Sequence, residues 1–334
     1  MGLGRRRFLA GALLGTAGAA WEGRPPVEGP GRHALPDEPH PPPRSTVAVV
    51  RPADFPGLAA AVGEAIRLAG GLAFVGPGES VLLKPALNSG RPYPATTDPE
   101  LVHVLAELVR ERGGRPFVAD RTMFLRSTRA ALERTGILDA ARAAGMPCLA
   151  LEDSAAVALR HPLASHWPGR AVEIYRPAAE ADHVINLCTP RTHRLGGFTM
   201  ALKNCVGLVA GSARPGMHLG SGFRERLAEI SLVVRPSLVV LDGRLGFSDG
   251  GPDEGDLCRP GFIAAGPDPL AVDAVGLAHL RLAGTNATIG TGSIWRIPVM
   301  HRAAEIGVGV GSADRIHLVG LAPPSEERLR REMA

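Results

Sequence analysis

Short apolar runs of strand length alternate along the chain with longer segments whose apolar residues recur at helical spacing. The runs predict strands at 46–50, 79–84, 115–120, 148–152, 171–175, 182–187, 237–242, 262–265 and 315–319. The helical patterns lie at 58–69, 101–112, 128–144, 224–234, 270–282 and 294–306. Alternation of this kind with short connections predicts an α/β fold, a doubly wound and mostly parallel sheet with helices on both faces.

The first 45 residues differ from the rest in composition. Arg5 to Arg7 with Phe8 and Leu9 fit the twin-arginine pattern, and a short apolar run and a small-residue cleavage site follow. We therefore expect a signal peptide at 1–20 and a Pro-rich linker at 21–45. The α/β domain is expected at 46–322 and a charged tail at 323–334. The protein should be exported by the twin-arginine machinery to the periplasm or another extracytoplasmic space, without a stable membrane span after cleavage.

Polar residues stand where several predicted strands end. Lys84, Asp120 and Asp242 each close an apolar run. In open α/β sheets, ligands bind outside the carboxyl ends of the strands, so these side chains are candidates for a common site. Asp98 and Asp268 each precede a Pro at a helix start and should act as N-caps. Asp273 lies on an apolar helix and must be paired or face a cavity.

Lysine is rare in this chain. Of 37 basic residues, two are Lys, at positions 84 and 203, and each is followed closely by an Asn, Asn88 and Asn204. A Lys ammonium is a compact charge that can lose its proton when desolvated, which an Arg guanidinium does not do. The two Lys are therefore candidates for proton transfer, amine chemistry or anion binding.

The segment 186–218 follows a predicted buried strand and is rich in candidate chemistry, including Arg191, His193, Lys203 and His218. We expect Lys84 and Lys203 to bind or polarise an anion and His193 to act as the acid or base, oriented by Asp120 or Asp242. The expected catalytic residues are Lys84, His193, Lys203 and Asp120. The expected substrate-binding residues are Asn88, Thr97, Arg191, Asn204, His218 and Asp242.

Composition excludes several other classes. The net charge of +4 is ordinary, and a nucleic-acid-binding face would need clustered basic residues with aromatics, which make up 4% of the chain. The four Cys lack the Cys-x-x-Cys spacing of a zinc ribbon or an iron–sulfur cluster, although Cys188 and Cys205 could pair after export. Neither a dinucleotide-binding nor a phosphate-loop motif is present. The cofactor is unknown, and a divalent metal held by His193, His218 and an acid, or by the acidic loop 243–256, stays open.

An ordered set of motifs resembles one bacterial and archaeal family, known as domain of unknown function 362. The matching residues are Lys84-Pro85 with Asn88, Thr97 to Val102, Asp120, Asn186 with Arg191 to His193, Ala201 to Asn204 with Gly207, His218, and Asp268 to Ala274. Many relatives resemble α/β proteins that also carry a ferredoxin-like region for two four-iron clusters, which implies redox or cofactor-linked work. This chain lacks that cysteine-rich region, and it has Arg191 where relatives usually have Lys and Ala86 within the Lys-Pro-x-x-Asn run.

We expect an enzyme that acts on a small anionic molecule at the carboxyl edge of the sheet. Two alternatives stay open: a non-catalytic extracytoplasmic protein that binds a ligand or a metal, and a partner of an iron–sulfur electron-transfer system. A hinged binder should have two lobes, and the ligand should not be consumed.

Overall fold

The computed structural model describes residues 32–38, 40, 43–123, 125–218 and 221–334. The predicted signal peptide and most of the predicted linker lie outside these residues. The strands are β1 Ser45–Val50, β2 Ser80–Lys84, β3 Arg115–Asp120, β4 Cys148–Ala150, β5 Ala156–Arg160, β6 Ala171–Tyr175, β7 His183–Cys188, β8 Arg191–His193, β9 Gly197–Thr199, β10 Leu238–Gly243, β11 Gly246–Asp249, β12 Asp256–Cys258, β13 Phe262–Gly266 and β14 Ile316–Val319.

Twelve α-helices accompany these strands in the described residues. They are α1 Leu58–Leu68, α2 Pro99–Glu111, α3 Thr128–Arg134, α4 Ile137–Ala143, α5 Arg176–Glu180, α6 Ala201–Asn204, α7 Ala213–His218, α8 Phe223–Glu229, α9 Pro269–Leu282, α10 Ala287–Gly290, α11 Pro298–Glu305 and α12 Pro323–Met333. Within the described residues, no helix combines the length and the apolar character needed to cross a bilayer.

The central sheet has eight strands in the order β14-β1-β13-β10-β7-β2-β3-β4. All neighbouring strands are parallel except that β13 runs antiparallel to both β1 and β10. Alternate side chains enter two apolar clusters on opposite faces: Leu82 belongs to one, and Val81 and Leu83 belong to the other. Both faces are covered, as expected for buried parallel strands, and the predicted α/β class is confirmed.

Two predicted helices are each divided in the structure. The segment 128–144 forms α3 and α4, which Gly136 separates with a positive φ of 79°. The segment 294–306 forms a short 3-10 turn followed by α11, because Pro298 cannot continue a helix from the preceding turn. Each break lies at a residue with special backbone geometry, Gly136 or Pro298, and helical structure was predicted correctly on both sides of it.

Smaller sheets complete the fold. Strands β12, β11, β8 and β9 form a second sheet, and β5 pairs with β6 in a hairpin. The second sheet holds the loop 250–255 beside the segment that follows β7, since β11 pairs in parallel with β8 at Phe247 and Arg191. This places the acidic loop at the carboxyl edge of the main sheet.

Both ends of the described chain pack on the domain. In the Pro-rich segment, Leu35 is buried and its N–H donates to Leu232 O at 2.8 Å. The segment expected as a charged tail forms α12, whose Leu329 and Met333 are buried. Glu327, Arg328 and Arg331 are exposed, whereas Arg330 donates to Ala313 O and Ile316 O at 3.2 Å and the apolar residues contact the domain.

Candidate functional site

A cavity of about 440 Å³ opens at the carboxyl edge of strands β2 and β3. Strand β2 delivers Lys84 and strand β3 delivers Asp120, and the two strands are neighbours in parallel register. Of the ten predicted site residues, eight line this cavity: Lys84, Asn88, Asp120, Arg191, His193, Lys203, Asn204 and His218. The edge of the sheet therefore brings together residues that lie more than a hundred positions apart.

Lys84 and Asp120 form a buried ion pair at the bottom of the cavity. The distance from Lys84 Nζ to Asp120 Oδ2 is 2.9 Å, and each side chain is 1% exposed. Lys84 Nζ also donates to Pro85 O at 2.5 Å and to Asn204 Oδ1 at 3.4 Å. Burial raises the pKa of Asp120, and the Lys84 ammonium opposes that shift. Lys84 Nζ therefore has three oxygen acceptors within hydrogen-bonding distance.

Gly207 allows this pair to pack against the main chain. A Cβ at position 207 would overlap Asp120 Oδ1 and would lie 2.8 Å from Lys84 Nζ. The carbonyl of Gly207 also accepts a hydrogen bond from Arg121 N at 3.2 Å. Position 207 therefore requires a residue without a side chain.

Lys203 presents its amine to the same cavity in a different environment. Its stem packs beside Gly196, where an added Cβ would lie 3.2 Å from Lys203 Cδ. The structure gives Lys203 Nζ no hydrogen bond or ion pair within the described residues. Burial and the positive charges of Arg191 and Arg214 lower the pKa of Lys203 from 10.5 to about 7, which Asp253 partly opposes.

The short helix α6 that carries Lys203 begins at a buried carboxylate. Asp273 on α9 is fully buried and accepts hydrogen bonds from Ala201 N at 2.6 Å and Leu202 N at 3.0 Å. These bonds satisfy N–H groups that a helix start leaves without a partner. Burial raises the pKa of Asp273 to about 7, against the two hydrogen bonds. Asp273 is therefore paired, as expected, and its partners are the N–H groups at the start of α6, the helix that carries Lys203 and Asn204.

His193 is held as a neutral imidazole. Its Nδ1 accepts hydrogen bonds from Leu195 N at 3.1 Å and Gly196 N at 3.0 Å, so the ring proton must reside on Nε2. Burial and the charges of Lys203 and Arg191 lower the pKa of His193 to about 2. A neutral donor at pH 7 suits hydrogen bonding to a ligand better than the acid–base role that the sequence led us to expect.

Two arginines bring positive charge to the cavity without a carboxylate partner. Arg214 is 3% exposed and donates only to main-chain carbonyls, those of Val209, Thr122 and Arg121. Arg191 is 2% exposed, and its Nη1 donates to Ala95 O and Pro252 O. Burial lowers the pKa of each to about 10, so both stay charged at neutral pH.

Three charged lining residues were not among the predicted site residues: Arg121, Arg214 and Asp253. Asp253 accepts hydrogen bonds from Asn88 Nδ2 at 2.8 Å and Ser89 Oγ at 3.0 Å, which joins the acidic loop to the loop after β2. The acidic, Gly-rich composition of that loop is the sequence feature that could have identified Asp253 as a site residue. No signal separated Arg214 from the other arginines, because its position depends on how the chain returns after α6.

Two predicted site residues lie away from the cavity. Thr97 Oγ1 donates to Leu187 O at 2.8 Å and accepts from Ala86 N at 2.7 Å, so it ties the loop after β2 to the end of β7. Asp242 is fully buried in an ion pair with Arg244 at 2.8 Å and accepts from Tyr93 Oη at 3.0 Å. Both residues therefore stabilise the surroundings of the site, and neither contacts its interior.

Metal and disulfide chemistry were also open from the sequence. In the part of the chain that the structure describes, no three His, Cys, Asp or Glu side chains converge as metal ligands. His193 and His218 both line the cavity, yet His218 Nδ1 donates to Arg214 O at 2.7 Å. All four Cys are buried and free, so Cys188 and Cys205 are not linked.

A mixed, mostly parallel sheet with helices on both faces and a basic cavity at its carboxyl edge defines an α/β protein. The chain belongs to the family described as Domain of unknown function (DUF362), whose model matches residues 81–278. All eight predicted residues that line the cavity fall in this range. The family resemblance carried by the motifs is thereby confirmed.

A curated relative extends this similarity. The chain is 35% identical over 209 residues to the thylakoid-associated protein sll1697 of Synechocystis sp. (strain ATCC 27184 / PCC 6803 / Kazusa). The similar region covers 60% of this chain and 63% of that relative, so the chain spans less than two thirds of the relative's length.

Proposed function

We propose that the cavity binds a small anionic molecule and that the protein is an enzyme acting on it. The observation that supports this most directly is Lys203, an amine without a partner among the described residues, in a cavity that it shares with Arg191 and Arg214. The lining carboxylates do not balance these cations, since Asp120 is paired with Lys84, and Asp253 is the one further carboxylate beside Arg121, Arg191, Lys203 and Arg214 among the described residues that line the cavity. Buried positive charge without a counter-ion favours an anionic ligand.

The residues divide into positioning and contacting groups. Lys84, Asp120 and Asn204 form a connected buried network that fixes the bottom of the cavity, and Asp273 fixes α6. Lys203 is the group best suited to exchange a proton near neutral pH, because its pKa is lowered to about 7. His193 supplies a neutral Nε2–H donor, and Arg191 supplies a guanidinium for a carboxylate or phosphate.

Binding of an anion can be tested by thermal unfolding. We would titrate phosphate, succinate and oxalate at constant ionic strength, because screening alone changes the stability of a charged protein. At least one anion should raise the Tm of the wild type as its concentration increases, and Lys203→Met should weaken that anion's apparent affinity at least tenfold. Arg129→Met, which removes an exposed charge that does not line the cavity, should leave the affinity unchanged. Equal shifts in all three proteins would disprove the cavity as the binding site.

Catalysis needs a separate measurement. A hinged binder should have two lobes, whereas the described residues place the cavity at the edge of one eight-stranded sheet. Nuclear magnetic resonance of candidate anions incubated with the wild type and with Lys203→Met would show whether an anion is consumed. An anion that binds but stays chemically unchanged with the wild type would favour the non-catalytic alternative.

Export by the twin-arginine route belongs to the same proposal. It is supported by Arg5 to Leu9 and by the short apolar run and small-residue cleavage site that follow, and those residues lie outside the described part of the chain. Replacing Arg6 and Arg7 by Lys should retain the protein in the cytoplasm, which cell fractionation would detect; unchanged fractionation would argue against this route.

A further inference from the structure

We propose that Lys203 forms an imine with the carbonyl carbon of a small oxo acid held in the cavity. This inference rests on the proposed function, since it requires the cavity to bind an anion, and it adds the substrate class and the covalent step. The evidence is the arrangement of the two lysines, the guanidinium of Arg191 and the neutral imidazole of His193 around one cavity.

The two lysines of the chain differ in what their amines contact. Lys84 Nζ has three oxygen acceptors, those of Pro85, Asp120 and Asn204. Lys203 Nζ has none among the described residues, and its stem is held beside Gly196 so that the amine remains at the cavity wall. A lysine that only stabilised the fold would be expected to find an acceptor, as Lys84 does.

The environment of Lys203 favours the nucleophilic form of an amine. Only the neutral amine can attack a carbonyl carbon. With a pKa lowered from 10.5 to about 7, about half of Lys203 is neutral at pH 7, on the order of a thousandfold more than an ordinary lysine. Burial and neighbouring cations are the physical causes that enzymes use to activate an amine in this way.

The other groups that line the cavity fit the carboxylate and the carbonyl oxygen of an oxo acid. The Nη1 of Arg191 is engaged by two carbonyls, whereas its Nε is buried without a partner in the described residues. A guanidinium with unused N–H groups can bind a carboxylate through two parallel hydrogen bonds. The Nε2–H of His193 can donate to the carbonyl oxygen. A ligand with both an anionic group and a carbonyl therefore satisfies groups that the protein leaves without a partner.

The covalent step balances without an oxidant or a reductant. The lone pair of Lys203 Nζ forms a bond to the carbonyl carbon, and the carbonyl π electrons move to the oxygen, which takes a proton. The carbon–oxygen bond then breaks and the oxygen leaves as water with both protons of the neutral amine. The product is an imine between Lys203 and the oxo acid.

Reductive trapping tests the step on the full-length protein. The wild type is incubated at pH 7 with glyoxylate, pyruvate or 2-oxoglutarate, borohydride is added, and digested peptides are analysed by mass spectrometry. Hydride from borohydride converts an imine to a stable secondary amine. For at least one oxo acid we expect the adduct on Lys203 in at least tenfold excess over Lys84, which serves as the internal control in the same molecule.

Matched probes and variants make the result specific. Lactate has the carboxylate of pyruvate without the ketone and should give no adduct, and acetone has the ketone without the carboxylate and should give at least tenfold less. Lys203→Arg keeps the positive charge and should abolish trapping, with folding checked by circular dichroism. The peptide that carries the α-amino group is quantified as a second internal amine.

The outcomes separate the two proposals. Anions that raise the Tm of the wild type, combined with no Lys203 adduct from any of the three oxo acids, would overturn the imine and leave anion binding intact. Equal labelling of Lys203 and Lys84, or equal labelling by acetone and pyruvate, would also overturn it. Absence of both Tm shifts and adducts would overturn both proposals.

Discussion

At the scale of single residues, the two lysines of the site, Lys84 and Lys203, lie in different environments. Lys84 is paired and fully buried, whereas Lys203 has a lowered pKa and no partner in the described residues. The sequence pointed to both, because they are its two lysines. It could not assign their roles, since the acceptors of Lys84 come from three separate segments.

Replacing Lys203 should stabilise the protein. Lys203→Met removes a partly buried charge and keeps the volume of the stem, so we expect a gain of roughly 1–3 kcal/mol at pH 7. Because the folded state binds the Lys203 proton more weakly than the unfolded state, wild-type stability should rise with pH between about 7 and 10.5 relative to the variant. Urea unfolding of both proteins from pH 6 to 10 would show this. A difference that stays constant over that range would contradict the lowered pKa.

Gly207 should tolerate no side chain. In Gly207→Ala the new Cβ would overlap Asp120 Oδ1 and crowd Lys84 Nζ, which must separate or displace the buried pair. We expect a loss of about 2–4 kcal/mol, measured by urea unfolding. Gly63→Ala on α1 is a matched control, because nothing lies within 4 Å of its added Cβ, and it should be neutral or slightly stabilising. Equal effects of the two substitutions would disprove the close packing at position 207.

At the scale of elements, the positions of the longer strands were easier to predict than which strands pair and in which direction. The run 115–120 is strand β3 to the residue, and Asp98 caps α2 as expected, accepting from Glu100 N at 2.9 Å. The short strands β8, β9, β11 and β12 were missed because three or four residues in Gly-rich sequence carry no usable period. The antiparallel direction of β13 was also hidden, since pairing depends on contacts with β1 and β10 far along the chain.

The start of α6 depends on one carboxylate from another helix. Asp273→Ala should leave two buried N–H groups without an acceptor and cost about 2–4 kcal/mol, and Asp273→Asn should cost less because one acceptor oxygen remains. Both variants should also weaken anion binding, since α6 positions Lys203. Ser127→Ala removes the exposed cap of α3 and should cost about 1 kcal/mol with anion affinity unchanged. Urea unfolding and anion titrations would compare the three variants. Unchanged anion affinity in Asp273→Ala would show that the Asp273 cap does not position Lys203 for anion binding.

At the scale of the whole molecule, the site is a product of topology. Its residues come from β2, β3, β8, β9, α6, α7 and the loops after β2, β3 and β11. Short connections join β8, β9, α6 and α7, whereas β2, β3 and the loop after β11 lie in separate parts of the chain. Lys84, His193 and Lys203 line one cavity at this edge, as expected, because Lys84 ends β2 while His193 and Lys203 lie on the segment that follows β7, the parallel neighbour of β2. The contributions of Arg214 and Asp253 could not be derived in that way, since Arg214 lies on the short helix α7 and Asp253 lies in the loop after β11, and no sequence period specifies where either segment packs.

The last helix should contribute to global stability although its composition suggested a tail. Leu329 is 2% exposed, Met333 O accepts from Trp295 Nε1 at 2.8 Å, and α12 packs against α9, the helix that carries Asp273. Leu329→Ala should therefore lower the free energy of unfolding by about 2–4 kcal/mol, the sum of lost transfer energy and a new cavity. Arg331→Ala, at a side chain that is 71% exposed, should change it by less than about 0.5 kcal/mol. Urea unfolding with an unchanged m-value would show that the loss is one of stability. If the two variants were equally stable, α12 would not contribute to the stability of the domain, and the domain would end near β14 as the sequence first suggested.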